Sequence, residues 1–142
     1  MAHIVAYHKQ ATSARMRFLV HAGGGVCGPD VLPSPAQLID AEEGVPDTGE
    51  TSVVAHPGHS LTDLARSLGL AAGDMEFDGG PLARVDVPGG AVTVYAARFT
   101  TMDPPFETVE GAGARFVELA QARSLDPLDL QLMRLVFERA VG

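Results

Sequence analysis

The sequence predicts a single α+β domain that spans all 142 residues. Segments rich in β-branched and aromatic residues alternate with turns through most of the chain, whereas the C-terminal part has the apolar spacing of helices. These patterns predict a largely antiparallel sheet of about five strands, covered mainly on one face by two C-terminal helices, with one or two short helices between strands. A chain of this length buries about two thirds of its unfolded surface, so its core needs no disulfide or metal.

Two strands are predicted near the N-terminus, over 3–7 and 15–21, because both segments are rich in Val, Ile, Phe and Tyr and a polar stretch separates them. Glycines and repeated prolines predict a loop over 23–33. The sequence Ser34-Pro-Ala-Gln then offers a cap, a proline at the first helical position and a glutamine at the third. This capping pattern predicts a short helix that ends at Gly44.

The middle of the chain is predicted to hold a short buried strand over 52–56 and a second helix over 61–68. Ser60 is expected to cap that helix, with its hydroxyl accepting a hydrogen bond from a backbone amide in the first turn. Gly69 is expected to end it, because a glycine adopts the left-handed conformation that often terminates helices.

A β-hairpin is the clearest local pattern in the sequence. Its strands are predicted over 82–87 and 91–100, since valines alternate with more polar residues on both sides of Pro88-Gly89-Gly90. Just before the hairpin, three acidic residues lie two positions apart, a spacing that would place them on one side of an extended segment and could suit a hard cation. Because the segment lacks the glycine and terminal glutamate spacing of an EF-hand, a solvated surface turn is expected instead. These residues are Asp74, Glu76 and Asp78.

The C-terminal part is predicted to form two helices, over 104–123 and 127–141. Gly111 and Gly113 lie inside the first of them and are expected to allow close packing against the sheet. The apolar arc of the second helix is wider than one sheet face covers. Either that helix is sandwiched within the domain, or its second face meets another subunit, most simply in a two-fold dimer.

Composition restricts the classes of partner. The formal net charge is −8, and no basic run is present to neutralise phosphates, which argues against nucleic acid and anionic membranes as partners. The single cysteine, Cys27, fits a reducing compartment. No apolar run approaches the roughly 20 residues of a membrane-spanning helix, and the N-terminus lacks a signal-peptide pattern. A small acidic cytoplasmic protein of the bacterial type is therefore expected.

The first candidate site is the stretch 21–28, His-Ala-Gly-Gly-Gly-Val-Cys-Gly. It follows a predicted strand, but the prolines after it prevent the long helix that a dinucleotide fingerprint requires. His21 and Cys27 are candidate catalytic residues, since glycine amides and a histidine lower the pKa of a thiol. The alternative is a flexible turn in which Cys27 is a small buried residue. The candidate anion- or cofactor-binding amides are those of Gly23, Gly24 and Gly25.

The second candidate site is the stretch 56–60. His56 and His59 are candidate metal ligands, although zinc requires at least one ligand more from elsewhere. His59 and Ser60 are also candidate catalytic residues, because Gly58-His-Ser approximates the start of a nucleophile elbow between a strand and a helix. The alternative is that Ser60 caps the helix and that the histidines are polar loop residues.

Two functions are compatible with these patterns. The first is a non-catalytic or accessory protein that acts as a homo-oligomer or binds a protein partner, with helix 127–141 as its interface. The second is a small-molecule- or metal-binding protein, or an enzyme, whose pocket lies between 21–28 and 56–60. The sequence indicates no particular cofactor, substrate or reaction.

Overall fold

A computed structural model describes residues 3–10, 15–29, 31–41 and 58–141. Within these residues the chain has an α+β fold with a mixed sheet of seven strands and three α-helices. The strands are β1 (His3–Lys9), β2 (Met16–Val20), β3 (Cys27–Pro29), β4 (Gln37–Ala41), β5 (Met75–Val87), β6 (Gly90–Phe99) and β7 (Arg115–Val117). The helices are α1 (Gly58–Ser67), α2 (Phe106–Gly111) and α3 (Pro127–Val141).

The sheet has the strand order β4-β5-β6-β1-β2-β7, with β3 also paired to β1. Among the described strands every pair is antiparallel except β1–β6, which is parallel and which the sequence patterns did not predict. Strand β1 lies in the middle of the sheet, and its residues from His3 to His8 are all buried. When both faces of a strand are buried, its sequence is continuously apolar and does not alternate between apolar and polar residues. This pattern is typical of central strands with a parallel neighbour.

Helices cover both faces of the sheet. Val5 and Tyr7 of β1 face the layer that contains α3, while Ile4 and Ala6 face the layer that contains α1 and α2. The prediction of two C-terminal helices on one face is therefore wrong in its arrangement. The physical reason is that successive side chains of a central strand point to opposite faces, so both faces need an apolar cover.

The predicted helix 104–123 is much shorter in the structure. Helix α2 ends at Gly111, and Gly113 has a φ of +86°, a conformation that favours glycine. The N–H of Gly113 donates to Glu110 O and that of Ala114 to Val109 O, which closes the helix end. The glycines thus terminate the helix and turn the chain into β7, instead of packing a long helix closely against the sheet.

Two further local predictions are wrong. The capping pattern at Ser34 is followed by β4, which pairs with β5 at the edge of the sheet, so that tertiary pairing prevails over the local helix signal. The predicted loop 23–33 contains β3, which pairs with β1.

Several other predictions are confirmed. Strands β1 and β2, the hairpin of β5 and β6, and helix α3 lie where they were expected. Gly69, with a φ of +79°, ends α1. However, α1 begins at Gly58, so Ser60 lies inside the first turn and is not the cap. The predicted strand 52–56 lies outside the described residues. None of the helices in the described ranges is long and apolar enough to cross a membrane.

Candidate functional site

The glycine-rich stretch forms a loop between two strands that share one neighbour. Both β2 and β3 run antiparallel to β1, and residues 21–26 connect them. The N–H of His21 donates to Gly25 O at 2.9 Å, and the N–H of Gly24 donates to His21 O at 2.8 Å. Gly24 has a φ of +97°, which a glycine adopts without strain. The loop is thus closed by its own backbone.

The two side chains at the edges of this loop are largely buried. The ring of His21 lies against Gly28, where a Cβ atom would come within 2.7 Å of it. Burial lowers the pKa of His21, and its Nε2 has no hydrogen-bond partner among the residues described. Cys27 is only 3% exposed, and burial, with a smaller effect of Asp129, raises the pKa of its thiol. A protonated, buried thiol favours the structural alternative for Cys27 over a nucleophile.

The described part of the second predicted stretch lies on an element that contacts the first. Helix α1, which includes His59 and Ser60, packs against β3, which begins at Cys27. His56 lies outside the described residues, as does the side chain of His59. Within 3–10, 15–29, 31–41 and 58–141, no group of three His, Cys, Asp or Glu side chains is placed to hold a metal ion.

The wide apolar arc of α3 is mostly accommodated within the domain. Leu132, Met133 and Val136 are fully buried, and Leu128 and Leu135 are partly buried against the same core. The helix packs near β1, β4 and β5 of the sheet and near the 3₁₀ turn Leu119–Gln121. This arrangement favours the sandwiched alternative for most of the arc.

One stripe of α3 remains open to solvent. Phe137 is 37% exposed and lies seven residues after the partly buried Leu130, on the same side of the helix. Arg134 lies between them and Glu138 follows Phe137. We call these four residues the α3 stripe: Leu130, Arg134, Phe137 and Glu138.

A shallow groove of about 430 Å³ adjoins the stripe. Leu119, Ala120 and Leu130 line it, and Arg123 and Arg134 stand at its rim. Both arginines are exposed, and neither forms an ion pair with another described residue. These two cations, which have no ion-pair partner among the described residues, lie beside apolar side chains in a chain of net charge −8.

No protein-family model matches this chain, and no curated protein sequence is significantly similar to it.

Proposed function

We propose that this protein is a non-catalytic cytoplasmic protein that acts as a homodimer, with the α3 stripe as its interface. The observation that carries the proposal is the exposed Phe137, which lies in line with Leu130 and beside two charges of opposite sign. A free, buried cysteine supports a reducing compartment.

The stripe is self-complementary, as a two-fold interface requires. Arg134 and Glu138 are both exposed, and neither is paired with a described residue. When a helix packs antiparallel against its own copy, residue order reverses across the two-fold axis. Arg134 then faces Glu138 of the partner subunit, and the reciprocal pair forms on the other side of the axis. Phe137 lies between the two pairs.

The expected dimer is weak. Burying the exposed 37% of Phe137 removes about 75 Å² from water, which contributes roughly 2 kcal/mol per subunit. The two ion pairs at the rim contribute little affinity, and they act mainly to set the register of the helices. We therefore expect self-association to depend on protein concentration.

Sedimentation velocity over a wide range of concentrations tests this proposal. We expect a species of twice the 14.8 kDa monomer mass at high concentration. Phe137→Glu should shift it to monomer, whereas Met102→Glu should not, because Met102 is 88% exposed but is not part of the α3 stripe. Arg134→Glu and Glu138→Arg should each weaken the dimer, and the combined swap should restore it. A monomer at every concentration, or a dimer that Phe137→Glu leaves intact, would refute this interface.

A second candidate function is supported by the approach of α1 to β3, which brings the two predicted site stretches onto neighbouring elements. In this case a small molecule or metal ion binds between the loop at His21 and the first turn of α1. A ligand at 100 times its dissociation constant adds about 2.7 kcal/mol, which raises the melting temperature by several degrees. A thermal-shift screen with Zn²⁺, Mg²⁺ and nucleotides should show such a shift, and His59→Ala should abolish it. A screen without a shift would reject this candidate.

A further inference from the structure

A larger pocket, of about 590 Å³, opens where β1 and β6 end, beneath the C-terminal end of α3. These two strands are parallel neighbours, so their C-terminal ends lie at the same edge of the sheet. This edge is where ligands commonly bind in sheets that contain parallel strands. We call this cavity the charged pocket, because its lining includes Lys9, Glu76, Asp78, Arg98 and Arg139.

In the outer part of the charged pocket, Arg98 and Glu76 form an ion pair, and each of them keeps polar atoms that could still form hydrogen bonds. Strand register places Tyr7, Arg98 and Glu76 side by side on β1, β6 and β5. Arg98 Nε donates to Glu76 Oε1 at 2.6 Å, and Arg98 Nη2 donates to the same oxygen. In the described part of the chain, Nη1 of Arg98 and the second carboxylate oxygen of Glu76 have no partner. Lys9 Nζ donates to Ala140 O at 3.1 Å and keeps two further N–H groups.

The inner part is built around a buried phenol. Tyr7 is 3% exposed, and its hydroxyl crosses over β6 to donate to Asp78 Oδ2 on β5. Burial and this hydrogen bond raise the pKa of Tyr7, so the phenol remains a donor. Asp78 is half-buried, and its second carboxylate oxygen has no partner in the part of the chain that the structure describes. An acceptor is thus available at the inner end.

Arg139 holds this wall in shape. The register of β5 against β6 shifts between Phe77 and Pro81, which displaces Asp78 from the regular ladder. The guanidinium group of Arg139 donates to three carbonyl oxygens of the irregular segment, at 2.7 to 2.9 Å. These acceptors are Asp78 O, Gly80 O and Pro81 O. Arg139 is therefore a positioning residue for the carboxylate of Asp78.

We propose that the charged pocket binds a small zwitterion, an amino acid or short peptide with a free carboxylate and a protonated amine. Arg98 and Lys9 bind the carboxylate, and Asp78 and Glu76 bind the amine. A ligand with a single charge would meet like charges in the same pocket, whereas a zwitterion is attracted by both groups. The volume lies in the usual range for small-molecule sites, about 300–1,000 Å³. This site is separate from the α3 stripe, so the inference does not depend on dimer formation.

Isothermal titration calorimetry with the wild-type protein tests the assignment. The probes are the free amino acids, a set of dipeptides, and the N-acetylated and C-amidated form of each. We expect at least one free zwitterion to bind, and we expect either cap to weaken it by about tenfold or more, because each removes one charge-assisted contact. If no zwitterion binds, or if the capped forms bind as tightly as the free ones, the assignment is wrong.

Variants locate the binding site. Arg98→Gln should weaken a free zwitterion more than its C-amidated form, since the amide has already lost the carboxylate. Asp78→Asn should likewise weaken binding of the ligand with a free amine more than binding of its N-acetylated form, since the acetylated form has already lost the charged amine. Arg84→Gln is the matched control, because Arg84 is exposed on β5 outside the lining. Circular dichroism verifies that each variant is folded. Equal effects of Arg98→Gln and Arg84→Gln would place the ligand elsewhere and refute this site.

Discussion

Replacing Tyr7 with phenylalanine removes one oxygen atom at the inner end of the charged pocket and leaves the ring in place. The lost hydroxyl donates to the carboxylate of Asp78. A hydrogen bond to a charged group contributes about 1.5–3 kcal/mol to the free energy of unfolding. Asp78 is only half-buried, so water can replace part of the lost contact. We therefore expect Tyr7→Phe to cost about 1.5 kcal/mol at neutral pH, measured by urea denaturation.

The same substitution has a distinct signature at high pH. Because burial and Asp78 raise the pKa of Tyr7 above its ordinary value of about 10, the unfolded chain releases the phenolic proton at a pH where the folded chain retains it. Its contribution to stability is therefore fully present below about pH 10 and is lost as the pH rises further. From about pH 8 to about pH 11 the wild type should lose about 1.4 kcal/mol through this group. The Tyr7→Phe variant has no phenol at this position, so it should not show this loss of stability.

The difference between the two pH profiles is the decisive quantity. Titration of groups that both proteins share, such as Cys27, affects both alike, so it cancels when the profiles are subtracted. Tyr95→Phe is the control, and it should keep the steep loss of the wild type because it leaves the phenol of Tyr7 intact. Wild-type and Tyr7→Phe profiles that stay parallel above about pH 10 would show that the phenol of Tyr7 ionises freely in the folded protein.

Three further predictions concern other parts of the fold. Gly69→Ala should destabilise the protein by about 1 kcal/mol in denaturant titrations, because Gly69 has a φ of +79°. Gly111→Ala is the control, and it should be neutral or stabilising because Gly111 lies at a helical position with open space around it. Leu132→Ala should cost about 2–5 kcal/mol, because the Leu132 side chain on α3 is fully buried in the core. Replacement of its exposed neighbour, Gln131→Ala, should cost less than about 0.5 kcal/mol. Cys27 should react with a thiol reagent at mildly alkaline pH only after unfolding, since burial raises its pKa; rapid labelling of the native protein would contradict its burial.

Local patterns were sufficient for elements whose stability is largely local. The alternation of valines around Pro88-Gly89-Gly90 predicted the hairpin of β5 and β6. A glycine-containing turn joins two antiparallel strands, and side chains along each strand point alternately to opposite faces of the sheet, so the sequence repeats every two residues. The leucines of α3 likewise predicted a helix. By contrast, the capping signal at Ser34 was overridden by pairing with β5, which no local pattern reports.

The charged pocket illustrates why sites are harder to predict than elements. The spacing of Glu76 and Asp78 indicated that they share one side of an extended segment, and both do line the pocket. The expectation of a solvated turn was wrong, because β5 already begins at Met75. Tyr7 lies 71 positions from its partner Asp78, so their hydrogen bond could not be found from spacing along the chain.

The sequence by itself determined the α+β class, the two N-terminal strands, the hairpin and the final helix. It did so because propensity, turn chemistry and apolar periodicity act over a few neighbouring residues. Only the tertiary structure decided that β1 is central and pairs in parallel with β6, that helices cover both faces, and that the charged residues meet under α3. Those outcomes depend on which distant segments bury each other's apolar surface. No periodic pattern within one segment of the sequence indicates which distant segment it will pack against.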